Sequence, residues 1–110
     1  VGGAAQGVGG ALLEEFRYAP DGQPLSVTLA DYQMPSCAEM PEVAVLITED
    51  APSGIGPLGV KGAGEGGTTA MGAAIAAAVD AALGGRVPID ALPITPARLH
   101  ALRAAARSVA

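Results

Sequence analysis

The chain has 110 residues and a formal net charge of −5, and it is 50% hydrophobic but only 3% aromatic, so a core would be assembled from Ala, Val, Leu and Ile. The acidic balance argues against a nucleic-acid partner, the single Cys37 excludes an internal disulfide, and without a His/Cys cluster a zinc site is not supported. Sixteen Gly and nine Pro imply long irregular connections draped over other structure.

From Val1 to Tyr18, the residues Ala5, Val8, Leu12 and Phe16 recur at helical spacing, interrupted by Gly2, Gly3, Gly7, Gly9 and Gly10. Each interior glycine costs about 1 kcal/mol relative to alanine, so the pattern predicts a helix that starts late, near Val8, and is held by tertiary packing. Gln6 then lies at its N-terminal end, where unpaired N–H groups favour a polar or anionic ligand. A glycine-rich lead-in with Gln6 in water is the plainer alternative. Ala19-Pro20-Asp21-Gly22 is a turn, and Val27, Thr28 and Leu29 place a short strand within Leu25 to Tyr32 before Met34-Pro35 and Met40-Pro41 break it. Cys37 falls in that broken region with no cationic neighbour to activate it.

Glu42 to Asp50 alternates Val43, Val45 and Ile47 with Ala44, Leu46 and Thr48, which predicts a strand apolar on both faces and therefore buried. A loop over Ala51 to Leu58 leads to the glycine-rich stretch from Gly59 to Gly67. Beyond it, Met71, Ile75, Val79 and Leu83 recur every four residues, predicting a buried Ala-rich helix from Thr68 to Leu83, capped by Thr68 or Thr69 and ended by Gly84. Val87 to Pro93 is a short connector. Thr95-Pro96 then opens a final helix with Leu99, Leu102, Ala106 and Val109 as its apolar stripe and His100 at the surface. All eleven acids but only Arg17, Lys61 and Arg86 among the six bases precede Thr95, leaving Arg98, Arg103 and Arg107 to the final helix, where Arg103 and Arg107 share a flank that reads as a solvated face rather than a basic patch for an acidic partner. The architecture expected is α+β, with short strands, one buried Ala-rich helix and a C-terminal helix. No apolar run is long enough to span a bilayer. The chain opens at Val1 rather than at a Met or a signal peptide, so it reads as a piece of a longer protein, for which a cytoplasmic location is expected.

The residue that most needs explaining is Glu65, a single carboxylate within Gly62-Ala63-Gly64-Glu65-Gly66-Gly67. Glycines allow positive φ angles and close approach of backbone to a ligand. Gly62, Gly64 and Gly67 also fit the G-x-G-x-x-G dinucleotide fingerprint, but the preceding residues make a poor strand and no βαβ unit follows. A carboxylate in such a loop would repel a pyrophosphate. A ligand loop and a solvated surface turn both remain open on these residues alone.

Taken together, Gly2-Gly3-Ala4-Ala5-Gln6-Gly7-Val8-Gly9, Leu13-Glu14-Glu15, Asp31-Tyr32-Gln33-Met34-Pro35, Met40-Pro41-Glu42-Val43, Gly62-Ala63-Gly64-Glu65 and Leu92-Pro93-Ile94-Thr95-Pro96 occur in one order across nearly the whole chain. In this the chain resembles the C-terminal portion of the molybdopterin-binding subunit of the xanthine dehydrogenase and aldehyde oxidase family of molybdenum hydroxylases. The carbon monoxide dehydrogenase and isoquinoline oxidoreductase branches share this ending. The resemblance implies that residues 1–110 are the C-terminal part of a molybdopterin-binding domain. It also implies that Glu65 matches the family's catalytic glutamate, a general base beside molybdenum in the hydroxylation of aldehydes or N-heteroaromatics with water-derived oxygen. Lys61, Gly62, Ala63 and Gly64 match the loop that contacts the molybdenum–molybdopterin cofactor through backbone, and Gln6 matches its pterin or cytosine-dinucleotide side. No protein side chain of this stretch is implied as a metal ligand. The implied partners are the rest of the molybdenum-binding subunit, iron–sulfur and FAD subunits or domains, and a small-molecule substrate, so the chain alone should be inactive. The competing classes are a glycine-loop nucleotide-binding module, which needs a strand before Gly62, and a non-catalytic fragment, whose positions around Glu65 would not stay open.

Overall fold

A computed structural model describes residues 1–86 and 88–108. Three helices carry the architecture: α1 over Gly2–Leu12, α2 over Met71–Ala82 and α3 over Pro96–Ser108. Between α1 and α2 the chain runs through turns and extended segments, and the pairing of Tyr18 with Pro24 is an isolated bridge. The α+β expectation is thus corrected among the described residues, where three helices and no strand ladder are found.

Helix α1 begins at Gly2, not near Val8. The intrinsic penalty of its glycines is outweighed by what their bareness permits, because α1 packs directly on α2. A Cβ on Gly7 would collide with Met71 Cβ and lie 2.7 Å from its Cγ, and one on Gly3 would lie 3.1 Å from Gly67 Cα. Contact this close is available only to a helix face without side chains. Ala4, Val8 and Ala11 on α1 join Ile94 and Ala106 as the buried apolar residues, and the amide of Ile94 donates to the carbonyl of Ala11 at 2.7 Å, fastening the entry to α3 onto the end of α1.

Helix α2 differs from its expectation at one end and agrees at the other. It starts at Met71 with no side-chain cap, since the chain from Gly64 to Ala70 forms turns first. It ends at Gly84, with φ of 76°, whose amide donates to Ala81 O while Gly85 donates to Asp80 O. This pair of bonds satisfies the last carbonyls as a Schellman ending does. None of its residues is buried, contrary to the buried helix expected. Alanines face outward wherever α1 is absent, and an apolar groove of about 520 Å³ lined by Leu12, Ile75, Val79, Leu83 and Leu99 separates α2 from α3. Helix α3 follows its expectation: Thr95 Oγ1 accepts the Arg98 amide at 3.3 Å, Arg98 pairs with Asp90 at 2.8 Å, and His100 is exposed. Val109 lies outside the described residues.

The turn at Ala19-Pro20-Asp21-Gly22 forms as read, closed by Gly22 N–H to Ala19 O at 2.9 Å with Gly22 at φ 88°. The strand expected over Leu25 to Tyr32 does not form. Thr28 instead organises a tight turn, its carbonyl accepting the amides of Asp31 and Tyr32 and its hydroxyl donating to Asp31. Nor is the Val43 to Thr48 segment a buried strand. It is irregular and open, with Leu46 89% and Ile47 77% exposed. Alternating apolar residues specify a strand only where a neighbour supplies both ladder bonds and covering surface, and the described chain supplies neither. The radius of gyration, 18.0 Å, accordingly exceeds the roughly 13 Å of a compact domain near this size. Among the described residues no helix is long and apolar enough to cross a membrane.

Candidate active site

The loop carrying Glu65 is built from its flanks inward. On the upstream side, Ser53 N–H donates to Gly59 O at 2.9 Å, and Gly59, at φ 63°, turns the chain where a Cβ would lie 2.9 Å from Pro52 Cβ. On the downstream side, the carbonyl of Glu65 accepts the amides of Thr68 at 3.0 Å and Thr69 at 3.1 Å and the Thr69 hydroxyl at 2.9 Å. Gly66 N–H closes a further turn onto Ala63 O at 3.2 Å. Consecutive turns therefore connect Glu65 to α2, in place of the helix expected to resume at Thr68.

Between these anchors lies a stretch with little internal purpose. Gly62 and Gly64 are exposed, neither adopts the left-handed backbone, and a Cβ at either would meet nothing within 4 Å. The positive φ angles expected of this loop are thus confined to Gly59. Among the described residues the amides of Lys61 through Glu65 donate to no protein acceptor, and the exposed Glu65 carboxylate has no hydrogen-bonding or ionic partner. Bare backbone, free donors and one free carboxylate stand together on an accessible surface. Such a surface suits a ligand that must come close to the main chain.

The other residues singled out from sequence sit at different distances from this stretch in the fold. Lys61 and Ala63 are exposed within it, and Lys61 also lines a concavity of about 610 Å³ with Ile47, Asp50, Pro52 and Leu58 that does not include Glu65. Gln6 is exposed on α1 but stands in the body of the helix, not at its free end, because the earlier start at Gly2 moves the unpaired N–H groups to the residues before Ala5. The reading of Gln6 beside unpaired amides is corrected accordingly, and only its side chain faces outward. Thr68 was not marked from sequence except as a cap. Its hydroxyl instead donates to Gly3 O at 2.8 Å, joining the Glu65 loop to the first turn of α1. No sequence signal distinguishes these two uses of a threonine ahead of a helix. No strand precedes Gly62 among the described residues, so the context required of a dinucleotide fingerprint is missing. Groups of three or more His, Cys, Asp or Glu able to hold a metal are absent among the described residues.

A second constellation stabilises the chain after α1. Tyr32 donates its hydroxyl to Glu14 Oε2 at 2.6 Å and stacks obliquely on Phe16 with ring centroids 4.9 Å apart. The bond to Glu14 raises the Tyr32 pKa. The other Glu14 oxygen lies against Gly9, where a Cβ would collide with it and approach Pro35 Cδ to 2.9 Å. The segments Leu13-Glu14-Glu15 and Asp31 to Pro35 are thereby one unit in space.

Comparison with known proteins bears on this geometry. A family model for the molybdopterin cofactor-binding domain matches residues 1–41. The 6-hydroxypseudooxynicotine dehydrogenase complex subunit gamma of Paenarthrobacter nicotinovorans is 52% identical over 99 residues, covering 90% of this chain and 12% of the relative. The nicotine 6-hydroxylase large subunit of the same organism is 36% identical over 100 residues, covering 89% and 12%. In three dimensions the chain superposes on quinoline 2-oxidoreductase from Pseudomonas putida 86 with a TM-score of 0.85 and 39% identity, over 94% of this chain and 13% of that one. The chain thus spans about an eighth of the length of the relatives it matches. It belongs to the molybdenum hydroxylases and corresponds to a part of their molybdenum-binding subunit.

Proposed function

We propose that the complete enzyme to which residues 1–110 contribute hydroxylates a nitrogen heteroaromatic ring with water-derived oxygen, and that Glu65 is its general base. The single observation that carries this reading is the open glycine stretch: Gly62 and Gly64 lack side chains for no reason internal to the chain, beside a carboxylate without a partner among the described residues. A molybdenum–molybdopterin cofactor fits the arrangement. The amides of Gly62, Ala63 and Gly64 offer successive donors, Lys61 adds positive charge, and the exposed Gln6 of α1 is assigned to the pterin or dinucleotide side. When bound, the cofactor supplies the redox chemistry, and the protein supplies placement and proton transfer.

Within that division, Glu65 would take the proton of the water-derived oxygen as that oxygen bonds to the ring carbon, whose C–H bond breaks in exchange. Its carbonyl is held by Thr68 and Thr69 while its side chain is free to reach outward. Two electrons leave the substrate, so iron–sulfur and FAD partners in the same enzyme are part of the proposal. The choice of a ring over an aldehyde is supported by the relatives, whose names specify nicotine, a nicotine derivative and quinoline as their substrates. The exposed apolar residues of the 42–60 stretch and the groove beside α2 are assigned to contact with the rest of the molybdenum-binding subunit.

The test is Glu65→Gln in the complete, cofactor-loaded enzyme. Molybdenum and pterin content should stay near normal while turnover per bound metal falls by at least ~10²-fold, the range for loss of a general base. Full turnover in metal-replete Glu65→Gln protein would remove Glu65 from the role.

A further inference from the structure

The Glu65 loop is tied to α1 by a single side chain. Thr68 donates its hydroxyl to Gly3 O at 2.8 Å in a part-buried bond spanning 65 positions of sequence, and it is the one side-chain hydrogen bond between α1 and this loop among the described residues. Beside it Gly3 and Gly67 meet backbone to backbone, with an added Cβ on Gly67 only 3.1 Å from Ala4 N. From the same residue, the Thr68 amide donates to Glu65 O at 3.0 Å. One threonine therefore holds the first turn of α1 with its side chain and the backbone of Glu65 with its main chain. Helix α2 has Ala70 at its N-cap and no side-chain cap, while the hydroxyls of Thr68 and Thr69 are spent on Gly3 O and Glu65 O.

We propose that Thr68 is a positioning residue for Glu65, fixing the height of the Glu65 backbone against α1 and hence where its carboxylate can reach. The inference rests on the reading of Glu65 as the general base. A group that transfers a proton must be placed to within a fraction of an ångström, and an exposed loop has no other side-chain tie to α1 that could set this distance. The glycine contact at Gly67 keeps the two backbones close, and the hydroxyl sets their register. Removing the hydroxyl takes away the donor that Gly3 O has from outside α1 and lets the turn that carries Glu65 shift.

The experiment compares Thr68→Val, which keeps the shape but not the hydroxyl, with Thr68→Ser, which keeps the hydroxyl, in the complete molybdenum-loaded enzyme. Turnover per bound molybdenum should fall about 10- to 100-fold in the valine variant with KM little changed, and serine should recover most of it. Independently of activity, hydrogen exchange of the Thr68 and Thr69 amides should quicken with valine and not with serine, while exchange within α2 stays the same. If valine prevents assembly, Thr68→Ala against Thr68→Ser isolates the hydroxyl in a smaller side chain. Serine as impaired as valine or alanine would overturn the proposal, as would faster exchange without loss of turnover, which would make Thr68 a structural residue only. Glu65→Gln measured alongside separates the two readings: full turnover there removes the base assignment itself, whereas lost turnover there with normal turnover in Thr68→Val removes only the positioning role.

Discussion

Two sets of glycines in this chain look alike in sequence and behave as opposites in the fold. Three of the glycines of α1 are crowded: Gly3 lies against Gly67, Gly7 against Met71 and Gly9 against Glu14, so a side chain at any of these three would strike protein. Gly62 and Gly64, just before Glu65, are bare in open space, with neither a positive φ nor a neighbour to require them. The first set is explained within the chain by helix packing. The second set faces open space, and the explanation proposed for it is a group that approaches the backbone from outside. The contrast supports reading α1 as a scaffold for the loop and the loop as the surface that meets the cofactor.

The comparison can be broken most forcefully inside α1. Gly7→Ala should destabilise the packing of α1 on α2 by about 1–3 kcal/mol through overpacking against Met71, more than offsetting the ~1 kcal/mol that alanine gains in helix propensity. A lower thermal midpoint of the assembled subunit and faster amide exchange along α1 would register it. Gly10, in the same helix, is exposed with nothing within 4 Å of an added Cβ. Gly10→Ala should therefore stabilise α1 by up to about 1 kcal/mol, and if both substitutions moved stability in the same direction, packing would not be the reason for the α1 glycines.

A smaller effect concerns ionisation away from both sets. Ser36 donates its hydroxyl and its amide to Glu39, which lowers the Glu39 pKa. Because the folded value lies below the unfolded one, the stabilisation from this contact is present above the ordinary glutamate range and is lost as pH falls through the folded value. In Ser36→Ala the Glu39 carboxyl should titrate closer to its ordinary value, as followed by carboxyl carbon resonances, with cofactor content unchanged.

Much of the punctuation was legible in the sequence. Pro20 to Gly22 makes its turn, Gly84 ends α2 and Thr95-Pro96 opens α3, because each depends on backbone rules acting over a few residues. What could not be read depends on distant partners. Helix α1 begins at Gly2 because Met71 and Gly67 reward a bare face, which outweighs local propensity. Val43 to Thr48 carries strand periodicity without forming a strand, because periodicity records which residues will be covered, not what covers them. In the candidate site, Glu65 stood out through its glycine surroundings, whereas the use of Thr68 hinges on its contact with Gly3, far away in sequence. The conformational argument for the loop glycines failed at Gly62 and Gly64, and close approach of the cofactor is the reason proposed in its place.

The most direct measurement of the central claim is therefore the molybdenum and pterin content of Gly64→Val in the complete enzyme, normalised to assembled protein. Position 64 has room for a side chain in the chain itself and no left-handed backbone to strain, so the fold should be retained and assembly should proceed. Cofactor occupancy should nevertheless fall, together with turnover, because the valine side chain stands where the cofactor comes close to the main chain. Full occupancy with wild-type turnover would show that nothing approaches Gly64, and the Glu65 loop would be a solvated turn.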